Sequence, residues 1–533
     1  MIEVEVHSVL RDLLRLARSN SASLPPGLVP NWPHHLTMAR LVARGLRLGR
    51  PALIQTGVPT GATQGRYRLS YLIPALLWKE TVTIVAPKIV QQRLLEVEIP
   101  HLKQWLEVDR AIQIADGENR HPILDDNFKG LVLTSPEIWL ADRLHEQGRF
   151  ANGIPTIIDG ADDIEVWARD ELTVCLQPGD WDELMFSFPE QADVIRDTRV
   201  KLTLAIFQHP RNPYECYLIE SSEQDTLSQL YAVLHSAINE NSCDRLPASW
   251  KNFWQQWQTG AQLMWASIGR EGGKFSLYCT PIEVALPLSH IWQKQPVVLI
   301  GSALDLEPEA SVYRQQLGLG DLTYLKFSPD QHSEAIQLYV PDRLPMPNTP
   351  EFQRVLIQQV SALLASVESG ENYNSNLKRP VVILVGDVPL KPQIATILAA
   401  EFGSRVQMET TRLSDNSILI SGWEFWRQSQ ELLPAPQLLI IATLPIPSLE
   451  NPRVAGRVAY YREQRKDWFR LYLLPVALQE LQRAIAPVRE CQGVVALLDN
   501  RVNHRSYGKQ VLAALSPLAR INYPDATWFR ADR

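Results

Sequence analysis

The sequence predicts an α/β protein of two parallel-sheet domains, the first interrupted by a mainly helical insertion. Three observations carry this. Between residues 51 and 159, short β-branched runs alternate with helical stretches, the rhythm of βαβ units in a sheet covered on both faces. From about 171 to 282 the rhythm stops and the composition turns to Trp and Gln. It resumes at 296–301 and continues in a second block from about 326 to the end.

Taken in order, residues 5–19 place Val6, Val9, Leu10, Leu13 and Leu14 at helical spacing. A Ser/Pro-rich link follows over 19–33. Strands are expected at 51–55, 81–86, 130–134 and 156–159, with helices at 67–78 and 89–97 between them. In the insertion, Trp250, Trp254, Trp257 and Met264 fall on one helical face, a packed core face or, in a binding module, a stacking surface for bases. The second block carries strand-like runs at 381–385, 417–421, 438–442 and 493–498. The expected division is an N-terminal helix and linker (1–30), a first sheet domain (31–170 plus 283–325), an arch-like insertion (171–282) and a second sheet domain (326–533).

Composition narrows the function. The net charge of −7 gives no global basic field of the kind that advertises nucleic-acid binding, although it leaves room for a local one. No apolar run reaches the roughly 20 residues that span a bilayer, and no basic-then-apolar leader opens the chain. Five cysteines are scattered without paired spacing, and the histidines show no ligand spacing. These features predict a cytoplasmic protein with no membrane partner and no metal site built from cysteine or histidine.

The segment Ile154-Pro-Thr-Ile-Ile-Asp159-Gly160-Ala-Asp162-Asp163 is the most informative in the chain. A buried β-branched run ends in a carboxylate, which places Asp159 at the carboxyl edge of a parallel sheet, where such folds bind ligands. Upstream, Gly57-Val-Pro-Thr-Gly61-Ala-Thr-Gln-Gly65-Arg66-Tyr67 forms a glycine-rich turn before a helix. Such a turn can offer backbone N–H groups to an anion.

With the segments Trp32-Pro33-His34-His35, Thr83–Lys88, Leu133-Thr134-Ser135-Pro136, Gly301-Ser302-Ala303, Trp423-Glu-Phe425-Trp426 and Gln482…Arg489, the order of motifs resembles the DinG/XPD-type helicases of superfamily 2. The resemblance covers roughly residues 30–520 and implies two RecA-like P-loop NTPase domains. It implies ATP and Mg²⁺ as cofactors, with His35, Gly61, Gly65, Arg66, Tyr67, Gln482 and Arg489 at nucleotide-binding positions and Asp159 and Asp162 at Walker B positions. It places Lys88, Thr134, Ser135, Ser302, Trp423, Phe425 and Trp426 where the family contacts nucleic acid, and makes single-stranded DNA or another nucleic acid the expected partner, with a protein partner as the further candidate. Many members hold an iron–sulfur cluster on four cysteines ahead of Walker B; with none before Cys175, no cluster is expected.

The same alignment of motifs exposes what is missing. Arg66 and Tyr67 stand at the phosphate-loop Lys and Mg²⁺-binding Thr, Gly160 at the water-positioning Glu, and Ala486 at the arginine finger. A finger alone is worth about 10³–10⁵ in rate in related phosphoryl-transfer enzymes. The expectation is a helicase-fold protein that binds nucleic acid with weak or absent ATPase, against two alternatives: an active ATP-dependent DNA helicase, and a protein-interaction or assembly subunit.

Overall fold

The computed structural model describes residues 2–19, 32–58, 65–115, 128–237, 245–328, 335–370, 379–414 and 416–521, together with 523, 525 and 528. Gly61 lies outside the described residues.

The first domain is a seven-stranded, wholly parallel sheet. Its strands run in the order Thr323–Lys326, Ala52–Gln55, Val297–Gly301, Thr156–Asp159, Val82–Val85, Gly130–Thr134 and Ala111–Ala115. The central strands are buried at every position, as expected for β-branched runs covered on both faces. On one face the helices His35–Leu48 and Leu69–Leu77 bury Met38, Val42, Tyr71 and Leu72, and Ile2–Ser19 packs Leu10 over those two helices. On the other, Pro136–Leu144 and Ala285–Lys294 bring Trp139, Leu140 and Leu288 onto Val132 and Ile158.

The second domain is another seven-stranded parallel sheet, ordered Val406–Met408, Ile418–Ser421, Val381–Leu384, Leu438–Ile441, Val494–Leu497, Ile336–Tyr339 and Leu518–Ile521. Its two faces are likewise packed, around Leu419, Leu439 and Leu481 on one side and Leu363, Ile394 and Ile440 on the other.

The insertion differs from a bundle of helices. Pro178–Ser187, Ala192–Gln208, Ser221–Ala237 and Ala248–Trp257 pack around a four-stranded antiparallel sheet of Val174–Leu176, Lys274–Pro281, Gln262–Gly269 and Cys216–Leu218. Met264 therefore lies on a strand and not on the Trp helix, which ends at Trp257. Trp250 and Trp254 are buried, with Trp257 stacked on Trp254 at 5.3 Å, so this face is core.

The insertion sheet docks on the second-domain helix Pro452–Glu463. A side chain at Gly456 would collide with Leu263, so the glycine permits that approach. Beside it Glu165 accepts from both Arg169 and Arg457 at 2.7 Å, and Arg457 lies 4.0 Å over the Tyr472 ring. Burial alone would raise the Glu165 pKa, but the two guanidiniums hold it down at about 2.

Candidate nucleotide and nucleic-acid sites

Asp159 ends the central strand Thr156–Asp159, paired with Ile300. The following Gly160 has φ +102°, which lets the chain leave the sheet into the turn Ala161–Asp163; an ideal Cβ there would lie 3.1 Å from Trp167. A carboxylate side chain at this position would meet both backbone strain and crowding.

Both oxygens of Asp159 are already bound by the protein. The Tyr67 hydroxyl donates to Oδ1, and Tyr71 donates to Oδ2 at 2.8 Å. Arg68 Nε donates to Oδ2 at 3.3 Å, while its Nη1 reaches Glu98 at 3.1 Å. Arg93 joins Glu98, also at 3.1 Å. Asp159, Glu98, Arg68, Tyr67 and Tyr71 are all at most 2% exposed. Two carboxylates therefore face two guanidiniums in a charge-balanced interior cluster, the condition under which buried ions are tolerated. Burial and the Asp159 charge push both tyrosines well above the ordinary phenol range, so they remain donors. Burial opposes the charge on Arg68, but Asp159 and its other neighbours raise its pKa above the usual value. A side chain at Gly65 would collide with the Arg68 guanidinium, which makes that glycine a packing requirement.

This arrangement does not fit a hydrated Mg²⁺ at Asp159: the ion would have to displace two phenols and a guanidinium. The surroundings of His35 are also filled from within. Trp32 sits against His35 at 5.3 Å, Tyr67 at 6.3 Å and Phe327 at 5.0 Å, and His34 stacks on Phe327 at 4.6 Å. His35 is buried with Nδ1 2.8 Å from Ser70 Oγ, and burial, aided by His34, lowers its pKa to about 3. Arg66 turns to Glu490 of the second domain, 3.4 Å away. Arg68, Tyr71, Glu98 and Phe327, which the sequence reading did not single out, thus define the site's interior.

Asp162 is also engaged: it accepts from Ser302 N and Oγ at 2.8 Å and from Ala303 N at 2.9 Å. The second domain locks onto this loop through Gln479 to the Asp162 carbonyl, 2.8 Å, and Arg483 to Asp163, 2.9 Å. Arg489 donates to the carbonyls of Leu515 and Ser516 at 2.7 and 2.8 Å, holding the C-terminal loop. Gln482 and Arg489 still line a cavity of about 1130 Å³ between the two domains, with Gly57, Gly160 and Lys326.

The expected nucleic-acid positions are mostly spent on the fold. Thr134 is buried and donates to Ala115 O at 3.4 Å, and Ser135 caps the helix Pro136–Leu144 through Ile138 N. Ser302 is held by Asp162, and Trp426 is buried with Nε1 on Ala484 O at 3.2 Å. Lys88 is exposed; Trp423 and Phe425 are half-buried. Among the described residues there is no group of three or more His, Cys, Asp or Glu that could hold a metal ion, and no helix is long and apolar enough to cross a membrane.

Comparison with known proteins points the same way as the topology. Residues 434–518 match the helicase C-terminal domain family. The ATP-dependent DNA helicase YoaA of Escherichia coli is 24% identical over 256 residues, which is 46% of this chain and 40% of that protein. YoaA of Haemophilus influenzae is 26% identical over 258 residues, 47% of this chain and 40% of that protein. The chain thus matches less than half the length of these relatives. Xpd4 of S. tokodaii superposes over 92% of this chain and 99% of its own, with a TM-score of 0.57 at 12% identity, a likeness of fold. In its two parallel-sheet domains, its matched C-terminal region and its partial sequence relatives, the chain resembles the XPD/DinG-type helicases of superfamily 2.

Proposed function

We propose that this chain is a pseudo-helicase: a helicase-fold protein that binds nucleic acid and does not run an ATP-driven motor. The observation that carries the reading is the saturation of Asp159 by Tyr67, Tyr71 and Arg68. A carboxylate that serves Mg²⁺ needs a free oxygen facing the phosphates. Here Tyr67 and Arg68, just after the glycine-rich turn, fold inward and engage both oxygens. The filled aromatic slot of Trp32, His34 and Phe327 and the alanine at the finger position, Ala486, weigh in the same direction.

The competing reading, an active ATP-dependent DNA helicase, draws on the printed names of the YoaA relatives and on the open cavity between the domains. Fold and kinship do not by themselves supply an activity. The test is ATP hydrolysis by the purified chain with and without single-stranded DNA, alongside DNA binding. Bound DNA without turnover supports the proposal. DNA-stimulated turnover that disappears in Asp159→Ala would establish the motor and overturn it.

A further inference from the structure

The residues that the family resemblance assigned to nucleic acid leave few free donors, yet the molecule carries a basic surface elsewhere. Helix His35–Leu48 buries Met38, Val42 and Leu46 on its inner side. Its outer side is exposed and carries Arg40, Arg44 and Arg47, with Arg50 just beyond its end. Residues spaced by four and three lie on one helical face, and at 1.5 Å per residue the three span about 10 Å, about three phosphate-to-phosphate rises of one B-form strand. Arg47 is partly engaged by Glu3 at 2.7 Å. Arg40, Arg44 and Arg50 form no ion pair among the described residues.

The local charge stands against the rest of the chain. The first 50 residues hold seven arginines and three carboxylates, within a chain of net charge −7. The cavity between the domains, in contrast, is lined by Glu137, Asp163, Asp170 and Glu431 as well as by its basic groups. Repeated guanidiniums on one rigid face suit a row of phosphates, which they can engage bidentately.

We infer that the outer face of helix His35–Leu48 is a phosphate-backbone docking surface for nucleic acid, separate from the cleft between the domains. This deepens the proposed function and rests on its nucleic-acid half. Binding here is sequence-independent and salt-dependent, because backbone contacts act through counterion release.

The test is equilibrium binding of a fluorescent single-stranded DNA to the full chain and to Arg40→Gln/Arg44→Gln, over a series of salt concentrations. Removing two phosphate contacts lowers the salt slope by about 1.4, at roughly 0.7 per contact for single strands, which is about 25-fold weaker binding at 0.1 M salt if affinities converge near 1 M. The exposed arginines leave the thermal midpoint unchanged. Lys201→Gln/Lys251→Gln, which removes the same charge from exposed positions on the insertion, stays near wild type. Unchanged slope and affinity in the arginine variant, with wild-type DNA binding intact, would refute the surface and leave the pseudo-helicase reading standing. Preferential binding of fluorescent polyglutamate over DNA would instead make the stripe a protein-docking surface and overturn it. No DNA binding by the wild-type chain would remove this inference and the nucleic-acid half of the proposed function together.

Discussion

Replacing Asp159 by Asn separates a structural carboxylate from a metal-binding one. In this protein Asp159 receives two phenols and one guanidinium, all buried. The amide keeps one acceptor oxygen but presents an NH₂ to Arg68, which has no acceptor to offer, and removes the charge that balances it. Losing two charge-assisted hydrogen bonds at roughly 1.5–3 kcal/mol each, or breaking one side of a buried pair, gives about 3–5 kcal/mol of destabilisation. At roughly 2–4 °C per kcal/mol, the first thermal transition falls by on the order of 10 °C, measured by circular dichroism on the full chain. A carboxylate waiting for Mg²⁺ behaves in the opposite way: neutralising it relieves an uncompensated buried charge, and the ligand-free protein holds or gains stability. An unchanged or raised midpoint in Asp159→Asn would refute the plug. Adding Arg68→Met to Asp159→Asn is expected to recover part of the loss, since Glu98 retains Arg93 as its partner.

Other expectations follow from the same geometry. Restoring a carboxylate with Gly160→Glu yields no ATP hydrolysis and costs about 1–3 kcal/mol in an unfolding titration, because the position has φ +102° and faces Trp167. Trp254→Ala costs about 3–5 kcal/mol while leaving single-strand affinity unchanged, as a core residue would; lost binding with unchanged stability would revive the stacking role. Glu165, held at about 2 when folded, contributes stability that is complete above its ordinary pKa near 4.5 and is lost as the pH falls toward 2. Arg457→Met removes much of that acid-side loss, and it loosens the contact between the insertion and the second domain, read by hydrogen exchange over Pro452–Glu463.

Much of the sheet architecture was legible because parallel strands buried on both faces read as short Val/Ile/Leu runs, as at 156–159, 297–301 and 438–441. The insertion sheet was not, because the Trp spacing of the helix Ala248–Trp257 continues in phase to Met264, masking the break at Gly260. Asp159 could be placed at its strand end from sequence alone. Its partners could not: Tyr67, Arg68 and Tyr71 reach it only after the chain between them and residue 159 has closed into the sheet, and Glu98 joins through Arg68. One clue was present, the row Arg66-Tyr67-Arg68 where the family's phosphate loop carries Lys and Thr. Side chains of that bulk must fill the site or leave it, and here Tyr67 and Arg68 fill it while Arg66 leaves for Glu490. Thr134 and Ser135 looked available for phosphate because a hydroxyl at a strand-to-helix junction reads alike whether it binds a ligand or caps the helix.

The most direct measurement is calorimetric titration of Mg²⁺·ATP into the wild-type chain. A carboxylate saturated by Tyr67, Tyr71 and Arg68 gives no saturable Mg²⁺-dependent binding and no thermal shift with nucleotide. One-to-one binding that requires Mg²⁺ and is lost in Asp159→Ala, with the matching stabilisation of about 2.7 kcal/mol at a hundredfold excess over Kd, would contradict the account.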